Sequence, residues 1–395
     1  MTKDLHIAFF TNTYRPTMSG VVRSIDTFRQ AFTDMGHNVF IFAQKAHKYE
    51  DKEPFIFRYP AVEVPFVNDY AFPMPFSRTI DNVLPSLKLD VIHSHHPFLL
   101  GDVAADKAKS LDLPMVFTFH TRYDEYTHYV PISPDLTKVV IDLWMSHYLE
   151  KCNHIITPSE SIKEILIEHG VRGDMTAIPT GIDITPFEEA DGEAVRKKNG
   201  WGDDLVLISV GRLAKEKSFD TLLEAAAKVM RERSHVRLVI VGGGLEKKSL
   251  EKLAKELGIA DRVQFTGSIP YEDVPSHLKG ADIFCFASTS ETQGLVTMEA
   301  MAAGLPIVAV DATGTSDAVD HGQDGLLTDN NAEALAGALE QVIDDAELRQ
   351  RLIDGAAKKV QWFDIRRQAQ RMLDVYAQAK EAKEAGRFIK TKQES

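Results

Sequence analysis

Residues Asp282–Pro306 read DIFCFASTSETQGLVTMEAMAAGLP. The apolar run Asp282 to Ala287 has the length of a buried strand, and a Gly-containing turn then opens an apparent helix. Strand, turn and helix in that order are a unit of an open α/β sheet, which holds ligands at the C-terminal ends of its strands. A glycine where such a helix starts lets backbone N–H groups face an anion, and the helix dipole adds partial positive charge there. Gly294 is therefore expected beneath a phosphate. Glu299 falls in the second turn, where a carboxylate can accept both hydrogens of a vicinal diol, and Glu291 precedes the turn and can reach a different hydroxylated ring. Taken alone, two glutamates on a helix also describe a solvated face.

Working outward, the apolar run Leu205 to Val210 ends in G-R-L-A-K-E-K-S-F-D, which puts Gly211, Arg212 and Lys217 between a strand and a helix beginning near Phe219. Arg offers a planar fork of donors and Lys a compact point charge, so the two can neutralise a diphosphate without a metal ion. The alternative is a solvated basic loop. A further strand, Val236 to Val241, ends in Gly242-Gly243-Gly244, small residues that permit close approach of a ligand. Together these elements describe a phosphate flanked by two sugars, as in a nucleotide sugar.

Short apolar runs alternate with helical stretches along the whole chain. His6 to Phe10, Asn38 to Ala43, Asp90 to His93, Met115 to Phe119 and His154 to Thr157 read as strands in the first half. Leu205 to Val210, Val236 to Val241, Arg262 to Phe265, Asp282 to Ala287 and Ile307 to Val310 do so in the second. Two such sets predict two Rossmann-like, doubly wound parallel sheets. The 395 residues, 44% hydrophobic, suffice for two cores. A net charge of -13 argues against nucleic acid and against a broad basic membrane footprint. No apolar run approaches the roughly 20 residues of a spanning helix, and Met1 to Asp4 lead straight into a strand, so the cytoplasm is the expected compartment. Cys152 and Cys285 lack metal-ligand or disulfide spacing and read as buried thiols.

In the first half, the loop F-T-N-T-Y-R-P-T-M-S-G-V-V delivers Gly20 to a helix start. The strand from Met115 ends in His120, where ligands of parallel sheets bind. His93, His95 and His96 lack a completing Cys or carboxylate for a metal site and read as strand-end residues lining the cleft. The segment Pro60 to Ser77 places Phe66, Tyr70, Phe72, Met74 and Phe76 on an expected loop. They either pack onto their domain or form a groove and membrane-facing edge for an acyl chain.

The combination G-R-L-x-x-E-K, V-G-x-G, a strand ending A-S-T-S-E, and E-x7-E followed by A-x-A-x-G-x-P resembles glycosyltransferase family 4, over essentially the whole chain. The resemblance implies the GT-B fold, two Rossmann-like domains facing a central cleft. It implies an acceptor domain over 1–183, a nucleotide-sugar domain over 184–360, and helices over 361–395 crossing back to the first domain. The segment I-P-T-G-I-D, residues 178–183, resembles the family's interdomain linker with Thr180 in place of Asn. Members are retaining and need no metal. His120, Arg212, Lys217 and Glu291 match catalytic positions, and Gly20, Gly211, Gly242, Ser268, Ile269, Gly294, Leu295, Val296 and Glu299 match donor-binding ones. Family members often have two glycines where this chain has Ser19-Gly20.

The stretch H-T-R-Y-D-E-Y-T-H-Y, residues 120–129, is similar to bacterial diacylglycerol glucosyltransferases. It points to UDP-glucose as donor and a lipid acceptor at the inner membrane face, with Tyr123, Asp124, Glu125 and Tyr126 as acceptor candidates. Asp124 and Glu125 are the first carboxylates to test against a front-face mechanism in which the leaving phosphate takes the acceptor proton. Domain closure is expected to precede chemistry. Alternative acceptors are phosphatidylinositol or a soluble sugar, with mannose or glucose transferred. A GT-B nucleotide-sugar epimerase and a non-catalytic sensor are further alternatives. A nicotinamide oxidoreductase is disfavoured because Thr11 to Gly20 lacks G-x-G-x-x-G.

Overall fold

The computed structural model describes residues 4–17, 19–46, 49–63, 71–120, 144–291, 293–312 and 314–391. Two compact units divide the chain, Met1–Gly181 with Ile365–Ser395, and Ile182–Asp364.

The first unit contains β1 (His6–Thr11), β2 (Asn38–Gln44), β3 (Ile56–Tyr59), β4 (Ala61–Glu63), β5 (Ala71–Pro73), β6 (Val91–Ser94), β7 (Met115–Thr118), β8 (His154–Thr157) and β9 (Met175–Ala177). Seven of them form a parallel sheet in the order β3-β2-β1-β6-β7-β8-β9. Side chains alternate across a strand, so Ile7 and Phe9 enter one apolar cluster and Ala8 and Phe10 the opposite one. Both faces are buried, which is why β1 carries no polar alternation. The helix Gly20–Asp34 lays Val22, Ile25, Phe28 and Phe32 on the face that holds Phe9. The helix Ile365–Glu384 adds Ala369, Met372, Val375, Tyr376 and Ala379 to the same cluster. Full burial of each large apolar side chain contributes roughly 1.5–3 kcal/mol.

The second unit contains β10 (Leu205–Val210), β11 (Val236–Val241), β12 (Val263–Gly267), β13 (Ile283–Phe286), β14 (Ile307–Val310) and β15 (Gly325–Thr328). They form a parallel sheet in the order β12-β11-β10-β13-β14-β15. Leu207 points into one core cluster, and Val206 and Ile208 into the other.

In each sheet the chain winds outward from its first strand, then returns to that strand's other side. The order therefore reverses between β1 and β6, and again between β10 and β13. Such switch points open a crevice beyond the carboxyl ends of the two strands.

The expected α/β class holds, with strands missed at the margins. β3, β9 and β15 were not anticipated from pattern; β9 is three residues long and β15 begins at a glycine. The stretch from Pro60, expected as a loop, is in part the antiparallel pair β4 and β5, so Phe72 lies in a strand. Cys152 and Cys285 are buried free thiols. Among the described residues, no helix is long and apolar enough to cross a membrane.

Candidate active site

In the second unit the loops leaving β10 and β11 are stitched together at the switch point. Gly211 N donates to Val241 O at 2.9 Å and Leu213 N to Gly243 O at 2.9 Å. A Cβ at Gly242 would overlap the carbonyl oxygen of Gly211. The glycine there is demanded by the neighbouring backbone, where the sequence suggested room for a ligand. Gly242 N in turn donates to Gly267 O at 3.1 Å, which sets the residue after it, Ser268, beside this junction. Ile269 packs on the same core cluster as Leu295 and Val296.

This junction aims a short 3-10 turn, Lys215–Lys217, across the switch point. Lys217 Nζ forms an ion pair with Glu291 Oε1, and Ser288 Oγ donates to that same oxygen at 3.0 Å. Both charged side chains are mostly buried, 17% and 18% exposed. Arg212 differs, with 66% of its side chain exposed and Glu216 at 2.7 Å as partner. One cation is thus committed to a carboxylate at the strand ends while the other reaches into solvent.

Gly294 has φ of +68° and caps the helix Leu295–Ala302. That left-handed conformation costs a side-chain-bearing residue about 1–2 kcal/mol. The hydroxyls of Thr297 and Thr315 are buried near Gly294 without hydrogen-bond partners among the described residues. Glu299 is only 1% exposed and accepts a hydrogen bond from Tyr271 Oη at 2.9 Å. A solvated acidic face is therefore excluded for both glutamates. Ser288, Tyr271, Thr297 and Thr315 join the candidate set. Only Ser288 carried a signal in the sequence, its place at the end of a strand.

In the first unit Ser19 caps the helix Gly20–Asp34, its Oγ accepting from Val22 N at 3.3 Å. This gives a structural job to the residue that departs from the paired glycines of the family pattern. A Cβ at Gly20 would meet nothing within 4 Å. The loop after β1 is pinned to the one after β6: Asn12 N donates to His96 Nδ1 at 3.2 Å, and Asn12 Oδ1 accepts from Leu100 N at 3.0 Å.

His120 follows β7, and its Nε2 lies 2.9 Å from Nδ1 of His95. Burial lowers the His120 pKa to about 3 and that of His96 to about 4, so both are neutral at pH 7. The expectation that His93, His95 and His96 line a cleft is corrected, since they are 0%, 2% and 8% exposed. Both ring nitrogens of His93 are engaged, Nδ1 with Tyr376 Oη at 2.8 Å and Nε2 with Thr118 Oγ1 at 2.7 Å. Among the described residues, no group of three or more His, Cys, Asp or Glu is placed to hold a metal ion.

The acceptor candidates Phe66, Tyr70, Tyr123, Asp124, Glu125 and Tyr126 lie outside the described residues. Met74 is half-buried, with its N–H on Pro60 O at 2.7 Å. Val62 and Phe76, at 55% and 60% exposure, present apolar surface around the β4–β5 hairpin.

Comparison with known proteins places these features in a family. The description "Glycosyltransferase Family 4" matches residues 18–185 and "Glycosyl transferases group 1" matches residues 191–359. An alpha-monoglucosyldiacylglycerol synthase of Streptococcus pneumoniae is 34% identical over 319 residues, 77% of this chain and 71% of the relative. A protein of the same description from Acholeplasma laidlawii is 32% identical over 343 residues, 83% of this chain and 86% of the relative. Among solved structures, Anabaena HepE in complex with UDP and glucose superposes with a TM-score of 0.75 at 21% identity, covering 94% of this chain and 99% of that one.

Proposed function

Because the chain belongs to glycosyltransferase family 4, we propose that it moves glucose from UDP-glucose to the free hydroxyl of diacylglycerol, with retention of anomeric configuration and without a metal ion. The observation that carries this reading is the Lys217–Glu291 pair across the β10/β13 switch point, next to the glycine-capped helix at Gly294. Diacylglycerol as acceptor is supported by the descriptions of the two bacterial relatives.

Cleavage of the anomeric C–O bond leaves negative charge on the diphosphate and positive charge on the sugar, so stabilising the leaving group is the main catalytic task. Arg212 and Lys217 supply the cations. The N-terminal end of the helix from Leu295, where the helix dipole is positive, supplies further positive potential. Glu291, oriented by Lys217 and Ser288, accepts from donor-sugar hydroxyls. Glu299 and Tyr271 hold the ribose side. The acceptor oxygen attacks from the face the diphosphate leaves, one C–O bond forms as the other breaks, and the acceptor proton passes to the departing phosphate oxygen. Neutral His120 orients the donor sugar rather than serving as the base. The exposed Val62 and Phe76 support peripheral contact with the inner membrane face, where this acceptor resides.

The test is release of UDP from UDP-glucose in EDTA, with and without dioleoylglycerol in mixed micelles, for the wild type and Glu291→Ala. Turnover that needs the lipid, resists the chelator and disappears in the variant supports the proposal. Turnover indifferent to lipid rejects this acceptor, and turnover of GDP-mannose alone rejects this donor. An NMR coupling constant at the product's anomeric proton decides between retention and inversion.

A further inference from the structure

Three imidazoles of the first unit, those of His93, His95 and His120, form a column with His120 at one end. His93 lies in β6, His95 just beyond it, and His120 just beyond the neighbouring β7. His93 and His95 stack with centroids 4.4 Å apart, and the rings of His95 and His120 follow at 5.2 Å with a similar tilt. Phe9 meets both His93 and His95 edge to face, at 5.2 and 4.8 Å. At the far end His93 is clamped by Tyr376 from the helix Ile365–Glu384 and by Thr118 of β7. His95 therefore has little freedom to turn, and among the described residues its ring hydrogen-bonds to His120 through Nδ1.

Burial lowers the pKa of His95 as well as that of His120, so both rings are neutral. A bond between two neutral imidazole nitrogens holds one proton, and which ring owns it decides both tautomers. Were His120 the donor, the proton of His95 would sit on Nε2, which is buried with no hydrogen-bond partner among the described residues. Buried N–H groups are almost never left without an acceptor. With His95 as donor from Nδ1, that buried position carries only a lone pair, and His120 keeps its proton on Nδ1.

We infer that His95 is a positioning residue, holding His120 as the Nδ1–H tautomer in one orientation through an Nδ1–H···Nε2 hydrogen bond. Its value for catalysis rests on the reading of His120 as a donor-sugar residue given above. A neutral ring with a fixed donor nitrogen presents one hydrogen-bonding pattern to the sugar, whereas a ring free to exchange tautomers presents two.

The experiment uses the full chain without substrate, labelled with 15N at histidine, and compares wild type, His95→Phe and His95→Asn by long-range imidazole correlation spectra. Phenylalanine keeps an aromatic ring in the stack and removes the donor; asparagine places an amide N–H near the position of Nδ1. The expected result is an Nδ1–H signature for His120 in the wild type, a shift toward the Nε2–H form in His95→Phe, and recovery in His95→Asn. In turnover, His95→Phe is expected to lose about 10–100-fold in kcat with little change in donor KM, as for other second-layer partners that fix an imidazole. An Nε2–H ring in the wild type, or a His120 spectrum unchanged in His95→Phe, overturns the inference. Should His95→Phe fail to fold, the wild-type and His95→Asn spectra still decide it. If no form turns over a nucleotide sugar, the functional reading falls, while the tautomer spectra judge His95 independently.

Discussion

Lys217 and Glu291, 74 residues apart in the chain, form an ion pair between the loops that leave β10 and β13. Each is more than four-fifths buried, and removing one partner leaves the other as an uncompensated charge in a partly desolvated place. Lys217→Met and Glu291→Gln are each expected to lower stability by about 2–4 kcal/mol and to reduce kcat at least about 100-fold. The double variant recovers part of the stability and none of the activity. Urea unfolding of the four proteins in a double-mutant cycle gives the coupling, expected at about 1–3 kcal/mol; a coupling of zero would contradict the pairing.

Tyr271 donates to the buried carboxylate of Glu299. Hydrogen bonds to charged groups contribute about 1.5–3 kcal/mol. Tyr271→Phe is therefore expected to weaken UDP binding by about tenfold or more, measured by titration calorimetry. Unchanged affinity would separate this pair from the ribose.

Gly242→Ala places a methyl group on the carbonyl of Gly211, and backbone has no rotamer with which to yield. The loop carrying Arg212 and Lys217 must shift, and displacement by about 1 Å is enough to cost on the order of 100-fold in rate. UDP binding is expected to be lost while far-ultraviolet dichroism stays near that of the wild type. Gly20→Ala, where a Cβ meets nothing within 4 Å, is the matched control that folds normally.

The pKa of His96 falls to about 4 because burial disfavours its charged form. The unfolded chain, with a pKa near 6.5, binds more protons than the native state between those two values. Stability is accordingly at its full value above about pH 6.5 and falls as the pH drops toward 4, by up to about 1.4 kcal/mol per pH unit for this group. His96→Asn keeps an acceptor for Asn12 N–H and removes the titration. Urea midpoints from pH 7 to 4.5 should fall more gently in the variant, and parallel profiles would refute the assignment.

The alternating apolar runs were enough to read two parallel sheets, because a strand buried on both faces leaves an uninterrupted Val, Ile and Phe signature such as His6–Thr11 or Leu205–Val210. Edge elements escaped notice for the opposite reason: Met175–Ala177 has no such run to display. Lys217, Glu291, Gly294 and His120 were legible because each follows an apolar strand at its ligand-binding end. Tyr271 and His95 were not, since one sits in an irregular turn and the other looked like one of three neighbouring strand-end histidines.

Amino-acid order by itself determined the α/β class and the family motifs, both of which rest on local periodicity and spacing. Only the tertiary structure decided that Lys217 meets Glu291, that Glu299 is buried beneath Tyr271, and that Tyr376, 283 residues beyond His93, clamps the base of the histidine column. Periods of 2 and 3.6 residues state which face of an element is buried. Which loops meet beyond the strand ends depends on strand order, and that is settled when whole elements pack against one another.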